Sequence, residues 1–227
     1  MIKKLFLLLI FLSQLYFNPA FAHVLHYQNL NKLEFDLYRN NKLIGQHIYL
    51  FNRSGQNLTV KNKINFKIKI LDMTLYSYSS EGQEKYIDGK FDSFSATTNH
   101  NKKEKFCKIY KKENKFFIEG SSYKGKAPEE FIIGTWWNHE IIKFGTHISA
   151  GSGRIIEQTI NFIGKETIEI NNVIYTALKF NFFSSDPSLS KDKKLNTNVW
   201  YDEKTFMWLK ASFERAGYWE YRLKHFE

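Results

Sequence analysis

The sequence predicts a mainly β protein, built as a single curved antiparallel sheet or half-open β-barrel of roughly ten strands. Three observations predict this fold class. Apolar and polar residues alternate in several segments, turn residues recur at strand-like intervals, and aromatic residues make up 17% of the chain, which strands favour. One short helix or crossover is expected to join the two halves of the sheet.

The clearest strand lies between Lys61 and Ile70, where apolar residues and polar residues, mostly lysines, alternate without a break. Such alternation predicts one face that is buried and one that faces water. Similar one-faced patterns occur in three further segments, at residues 34–38, 174–182 and 209–213.

Turn signals separate these segments. Asn, Asp and Gly accept the positive φ angles that tight hairpin turns require. The candidate turns are Asn40-Asn41, Ser54-Gly55, Asp88-Gly89, Asn171-Asn172 and Ala216-Gly217. Because short hairpins can join only antiparallel neighbours, they favour a meander or barrel over a fold of alternating strands and helices.

One segment departs from the strand pattern. Residues 127–131 resemble the start of a helix, with Pro128 at the first position and two glutamates in the first turn. Gly145 is a candidate helix end, but Gly134-Thr135 and the following tryptophans interrupt the pattern. We therefore expect either a short helix or an ordered crossover here.

The first residues have the three parts of a secretory signal peptide. Lys3 and Lys4 form a basic start, residues 5–12 are apolar, and Ala20-Phe21-Ala22 supplies small residues at the cleavage site. The apolar run is shorter than the ~20 residues of a membrane helix. We therefore expect cleavage after Ala22, leaving residues 23–227 as a single β-rich periplasmic domain without a transmembrane segment.

Cysteine content and charge limit the possible partners. Cys107 is the one cysteine, so an intrachain disulfide is impossible, and the formal charge of +10 falls to +8 when Lys3 and Lys4 leave with the signal peptide. The lysines are spread along the chain, and we expect no nucleic-acid partner. An anionic membrane surface is a better match for a basic envelope protein, but solvated strand faces are a simpler explanation of the lysines than either partner.

No motif predicts catalysis, and we expect a protein that is not an enzyme. Gly151-Ser152-Gly153 lacks the spacing of a nucleophile elbow and reads as a turn. The histidines lack the spacing of a metal site, so neither a metal nor a cofactor is expected. The alternative is an envelope hydrolase with a dispersed site around His139, His147 or Asp202.

The aromatic excess suggests a binding role. A β-domain rich in bulky apolar groups can leave a cavity or groove for an apolar ligand. We expect a soluble periplasmic protein that carries a lipid, an acyl chain or a lipidated peptide on the concave face of its sheet. The residues predicted to line the site are Trp136, Trp137, Phe180, Phe182 and Trp200. The alternative is a non-enzymatic envelope interaction module with a filled core and a protein partner.

An ordered set of motifs resembles a known family. The set comprises Leu43-Ile44-Gly45-Gln46-His47, Tyr86-Ile87-Asp88-Gly89-Lys90-Phe91, Trp137-Asn138, Gly151-Ser152-Gly153-Arg154 and Val199-Trp200-Tyr201-Asp202. Over residues 33–223 it resembles an uncharacterised family of exported proteobacterial proteins, domain of unknown function family 6134. The family is similar in layout to lipoprotein-carrier (LolA/LolB-like) envelope β-domains, which implies a curved sheet with a hydrophobic concavity. The resemblance implies no catalytic residues.

Overall fold

The computed structural model describes residues 27–71, 73–190 and 193–227. The predicted signal peptide, residues 1–22, and its cleavage site lie outside the described residues. Within the described ranges, no helix combines the length and the apolar character needed to cross a membrane.

The described chain forms fifteen strands in one sheet, so the prediction of roughly ten was too low. The first eight strands are β1 (Lys32–Arg39), β2 (Lys42–Ser54), β3 (Asn57–Ile70), β4 (Met73–Ile87), β5 (Lys90–His100), β6 (Lys103–Lys112), β7 (Lys115–Gly120) and β8 (Lys124–Lys126). The other seven are β9 (Ile132–Ile133), β10 (Thr146–Ile148), β11 (Ile155–Ile170), β12 (Val173–Ser184), β13 (Asn196–Asp202), β14 (Trp208–Glu214) and β15 (Tyr218–Phe226).

The strand order places the first and last strands side by side at the centre of the sheet. β1 lies between β2 and β15, β2 to β8 follow outward on one side, and β14 down to β9 follow outward on the other. Neighbouring strands are antiparallel except β9 and β10, which are parallel. The predicted single antiparallel sheet is therefore confirmed, and it is not closed by hydrogen bonds between β8 and β9.

The segment between β8 and β10 is a crossover, one of the two forms expected here, and residues 127–131 do not begin a helix. The backbone N–H of Ala127 donates to the carbonyl of Phe116, which keeps the chain extended beside β7. A 3-10 helix follows at His139–Lys143, where the side chain of Asn138 accepts a hydrogen bond from the N–H of Glu140 at 3.2 Å.

Two hydrophobic cores pack against the inner face of the sheet. The large core contains the fully buried side chains of Phe35, Tyr49, Tyr201 and Trp208. The small core lies between β5–β7 and β9–β10 and consists of Phe94, Ala96, Cys107, Ile109, Ile118, Ala127, Ile133 and Ile148. The small core therefore joins the two ends of the sheet.

Backbone atoms also meet where the ends of the sheet approach each other. The N–H of Ser122, after β7, donates to the carbonyl of Ser152 at 2.9 Å. A Cβ atom on Gly120 would lie 2.6 Å from that carbonyl oxygen, so only glycine allows the approach. Gly153 adopts φ +75°, in the left-handed region that favours glycine. This contact, with the small core below it, is called the seam.

Candidate functional site

The outward face of β2 to β6 carries a groove of about 690 Å³, here called the outer groove. The strand register arranges its lining in two rows across five strands. The first row is Leu50, Lys61, Gln83, Ser95 and Lys108. The second row is Ile48, Lys63, Glu81, Thr97 and Phe106.

The outer groove is apolar at its two ends and lowest over β5, beside the Phe106 end. Ile48 and Leu50 form one end on β2, and the partly exposed ring of Phe106 forms the other on β6. Ser95 and Thr97 on β5 have short side chains, which leaves space above that strand. Four strand spacings of about 4.8 Å give the groove a length of about 19 Å.

Positive charge dominates the polar part of the outer groove. Lys61, Lys63 and Lys108 line it together with one acidic residue, Glu81. Lys63 and Glu81 form an ion pair of 2.7 Å in which both side chains are about two-thirds exposed. Such an exposed pair adds little stability, and Lys61 and Lys108 lie on the adjacent row. The groove therefore combines apolar ends with a cationic row.

The inner side of the same strands holds a buried carboxyl group. Glu84 accepts hydrogen bonds from the hydroxyl of Tyr86 at 2.8 Å, the hydroxyl of Thr135 at 2.7 Å and the indole N–H of Trp137 at 2.9 Å. Burial raises the pKa of Glu84, and the three donors partly oppose that rise. Glu84 thus fastens the crossover to β4 and helps to fill the interior.

All five predicted ligand residues lie within or against the large core. Trp137 and Phe182 are fully buried there, and Trp136 packs edge-on against Phe182 with ring centroids 5.1 Å apart. Phe180 is half-buried and contacts Phe162 at 5.3 Å. The structure therefore brings Trp136 and Phe182 together as packing partners, and their contact with a ligand stays a prediction.

Trp200, the fifth predicted residue, is also buried in the large core, where charged side chains surround its ring. It pairs with Lys179 of β12. The ammonium groups of Lys179 and Lys210 lie 4.9 and 5.1 Å from the Trp200 ring centroid. Its indole N–H donates to Glu166 at 2.8 Å. These contacts cover the ring with charged side chains of β11, β12 and β14.

The residues of the alternative hydrolase hypothesis have structural partners. His147 Nδ1 lies 2.7 Å from Gln158 Oε1, and Gln158 donates through Nε2 to a backbone carbonyl. Asp202 accepts from both the N–H and the hydroxyl of Thr205, which closes the turn after β13. His139 packs on Phe206 of that turn with ring centroids 5.0 Å apart. In the described part of the chain, no three His, Cys, Asp or Glu side chains are grouped to hold a metal ion.

Sequence reasoning missed the outer groove, although β2 carries a signal for it. Residues 47–51 are aromatic or apolar at every position, so both faces of this strand are apolar. His47, Tyr49 and Phe51 face the large core, whereas Ile48 and Leu50 face outward beside the lysines of β3. A strand that is apolar on both faces, next to one that alternates, indicates a second apolar surface.

The family is decided by a sequence comparison. The family model described as Domain of unknown function (DUF6134) matches residues 35–224. The chain belongs to the DUF6134 family. This confirms the family predicted from the ordered motifs, and it assigns no activity to the DUF6134 chain. No curated protein matches its sequence.

One solved structure supports the β-barrel-like layout of the DUF6134 chain. It is similar to a "Beta-barrel-like Protein of Domain of Unknown Function DUF1849" from Brucella abortus, with a TM-score of 0.58, 11% identity, and coverage of 87% of this chain and 97% of that chain. A DUF1329 family protein from Desulfovibrio piger matches with a TM-score of 0.19 and 10% identity, over 91% of this chain and 90% of that chain. The first likeness concerns the fold alone, and the second carries no argument.

Proposed function

We propose that this chain is a non-enzymatic protein of the bacterial envelope that binds an amphipathic ligand, an acyl chain with an acidic head group, in the outer groove. The observation that carries the proposal is the combination of apolar ends and a cationic row in one groove of about 690 Å³. Volumes of this size are typical of small-molecule sites. The predicted signal peptide supports the envelope as the place of action.

The length of the outer groove suits an acyl chain. The hydrocarbon core of a bilayer is about 30 Å thick, so one extended acyl chain spans about 15 Å. The outer groove is about 19 Å long, and its apolar groups, Ile48, Leu50 and Phe106, lie at both ends. A chain lying across the strands would cover Ser95 and Thr97 and contact the apolar side chains at each end.

The cationic row suits the acidic head group. Lys61 and Lys108 lie on either side of Gln83 and Ser95 in one row, and both line the groove. A carboxylate or phosphate between them would accept charge-assisted hydrogen bonds from their ammonium groups. The side chains of the large core cover the inner face of the sheet. This favours the outer face as the binding surface.

Titration with a fluorescent dodecanoate tests the site. Phe106→Ser removes one apolar end, and we expect it to weaken binding about tenfold, the effect of losing about 1.4 kcal/mol of apolar contact. Thr97→Trp fills the low part of the groove over β5 and should weaken binding more. Tyr110→Ser is the matched control, because Tyr110 lies on the same face of β6 but outside the groove.

Unchanged affinity in both Phe106→Ser and Thr97→Trp would show that the outer groove is not the site. Export is tested separately by the mass of the protein from a periplasmic extract of cells expressing residues 1–227. We expect the mature chain to begin at His23, and retention of residues 1–22 in the cytoplasm would contradict the envelope assignment.

A second candidate is a non-enzymatic interaction module for a protein partner in the envelope. The filled large core favours it, since an interior packed with aromatic side chains leaves room for a ligand only outside. Native mass spectrometry separates the two candidates. A lipid-sized mass on wild type that is lost in Thr97→Trp supports the ligand, whereas an apo mass together with no dodecanoate binding supports the protein partner.

A further inference from the structure

The hairpin of β3 and β4 extends beyond its neighbours in the sheet. β2 pairs with β3 only as far as Phe66, and β5 pairs with β4 only from Tyr78. Among the described residues, the strand segments beyond these points pair with each other, from Lys67 opposite Ser77 to Ile70 opposite Met73. This paired segment, residues 67–71 and 73–77, is here called the ribbon.

The tip of the ribbon is apolar and exposed. Its exposed fractions are 54% for Ile70, 89% for Leu71, 62% for Met73 and 56% for Leu75. Isolated exposed apolar residues are normal on a protein surface, but a contiguous group marks an interaction site. Leu71 also has φ +47°, which is uncommon for a leucine.

The foot of the ribbon is held by aromatic packing. Phe66 stacks on Tyr76 and Tyr78 with ring centroids 5.8 and 5.2 Å apart, and it meets the edge of Trp219 at 5.3 Å. The apolar tip is therefore mounted on an ordered base. Tyrosine and tryptophan at the base are also the residues that favour the membrane–water interface.

Basic residues flank the apolar tip, although the acidic Asp72 stands between Leu71 and Met73 in the sequence. Lys67 and Lys69 occupy alternate positions of the ribbon, with Ile68 and Ile70 on its other face. Because β1, β3 and β5 run in the same direction, the turns after them lie at the same end of the sheet. Further residues at that end are the basic Lys42, Lys102, Lys103 and Arg215 and the acidic Glu104 and Glu214.

Several of the charges at this end lie near one residue, His100. His100 lies 5.0 Å from Tyr76 of the ribbon, measured between ring centroids. Burial lowers the pKa of His100, and the charges of Lys105, Arg215 and Lys103 lower it further. Cations of two hairpins, β5–β6 and β14–β15, therefore lie close to the foot of the ribbon.

We propose that the ribbon docks this protein on the surface of an anionic lipid bilayer, with the tip side chains among the acyl chains and the lysines at the head groups. Charge complementarity selects this occupant, because lysines near an anionic surface are attracted by about 1 kcal/mol each. A projecting tip of four apolar side chains is also much smaller than the ~800 Å² per partner of a stable protein interface. The docking is independent of ligand binding in the outer groove.

Vesicle co-sedimentation of residues 23–227 tests the docking. We expect binding to vesicles that contain phosphatidylglycerol and much weaker binding to phosphatidylcholine alone. Leu71→Ser with Met73→Ser should reduce the binding about tenfold or more, since burying one such side chain accounts for at least that factor. The matched control is Val173→Ser with Ile174→Ser, which changes two exposed residues (49% and 72%) at the opposite end of the sheet.

Lysine variants test the charge. Lys67→Gln and Lys69→Gln should each reduce binding to the anionic vesicles about fivefold, and high salt should reduce their effect. A Leu71→Trp variant should show a blue-shifted emission with anionic vesicles, whereas Ile174→Trp should not. Wild-type sedimentation that is absent, or that the Leu71/Met73 variant retains in full, would overturn the proposal. Dodecanoate binding by that variant should be normal, which keeps the result separate from the outer groove.

Discussion

The large and small cores differ in composition and in what holds them together. All five tryptophans lie within or pack against the large core. The small core contains one aromatic ring, Phe94, in its buried set, together with the lone Cys107. The large core rests on strands joined by continuous hydrogen-bond ladders, whereas the small core joins sheet ends that share no ladder. We therefore expect the seam to open at a lower free energy than the large core.

Each core carries its own probe. Tryptophan fluorescence reports on the large core. Burial raises the pKa of Cys107 to about 12, so its thiol is unreactive while the small core is closed. Thiol labelling therefore reports on the seam, and four substitutions test the comparison.

The largest effect is expected in the large core. Trp208 is fully buried, and its ring centroid lies 3.9 Å from that of Phe35. Trp208→Ala should lower the free energy of unfolding by about 3–5 kcal/mol. Urea unfolding, followed by the remaining tryptophans and by Cys107 labelling, should show both probes shifting together. A loss below about 1 kcal/mol would mean that this core is not what holds the sheet.

A substitution in the small core should separate the two probes. Ile148 is fully buried at the seam, and Ile148→Ala should cost about 2–3 kcal/mol, because the loosely joined sheet ends can relax around the cavity. We expect faster labelling of Cys107 without urea, while tryptophan emission stays that of the wild type. The control is Ile174→Ala at an exposed position. Equal loss of both signals would show that the two cores unfold as one.

Acid should weaken both cores through buried histidines. Burial lowers the pKa of His47, in the large core, to about 3, and that of His147, beside the small core, to about 4. Because the unfolded chain binds protons below about pH 6.5 and the folded one does not, stability falls as the pH drops from 6.5 toward 4. Each histidine should lower the free energy of unfolding by about 2 kcal/mol between pH 6.5 and pH 5.

The variant His47→Phe should remove its share of this loss, since a phenylalanine can keep the ring contacts with Tyr49 and Trp208. Urea midpoints between pH 5 and pH 7 measure the difference. If the tryptophan-detected stability of the variant falls with acid as steeply as that of the wild type, His47 is not the titrating group.

The smallest effect is expected for Glu84→Gln. Glutamine can keep the hydrogen bonds in the crossover, so we expect a loss of about 1 kcal/mol at low pH. Because burial raises the pKa of Glu84, its effect on stability changes with pH in the opposite direction to that of the histidines. The unfolded carboxyl ionises first, so wild-type stability falls as the pH rises above about 4.5. The variant should lack that fall, so its deficit should shrink toward neutral pH, while Glu81→Gln on the outer face should change neither value.

Much of the fold could be predicted from the sequence, because long strands with one wet face leave a clear pattern. The Lys61–Ile70 alternation lies within β3, and the predicted turns at Asn40-Asn41 and Asn171-Asn172 do adopt positive φ. The strand count failed where the pattern is absent. β4 places Ser80, Gly82 and Glu84 on its inner face, and β8 to β10 have two or three residues each, too few to show a period.

The candidate site was less accessible from the sequence. The aromatic content pointed to residues such as Trp137 and Phe182. Large aromatic side chains can either line a cavity or fill a core, and only the packing in the structure distinguishes these two roles. The outer groove depends on register, since Ile48 and Phe106 line one groove only because three strands between them align. Residues 47–51 signal a second apolar surface on β2, but the alignment that brings Phe106 to that surface leaves no local signal.

The pairing of β1 with β15 has a consequence for how the protein folds. Leu33 pairs with Phe226, and Arg39 with Trp219, so the middle of the sheet joins residues separated by nearly the whole described sequence. Contacts of such separation make folding slow. Until the last strand is added, one edge of β1 remains open to pairing with other chains. Cellular yield is therefore expected to depend on how well that edge is shielded during synthesis.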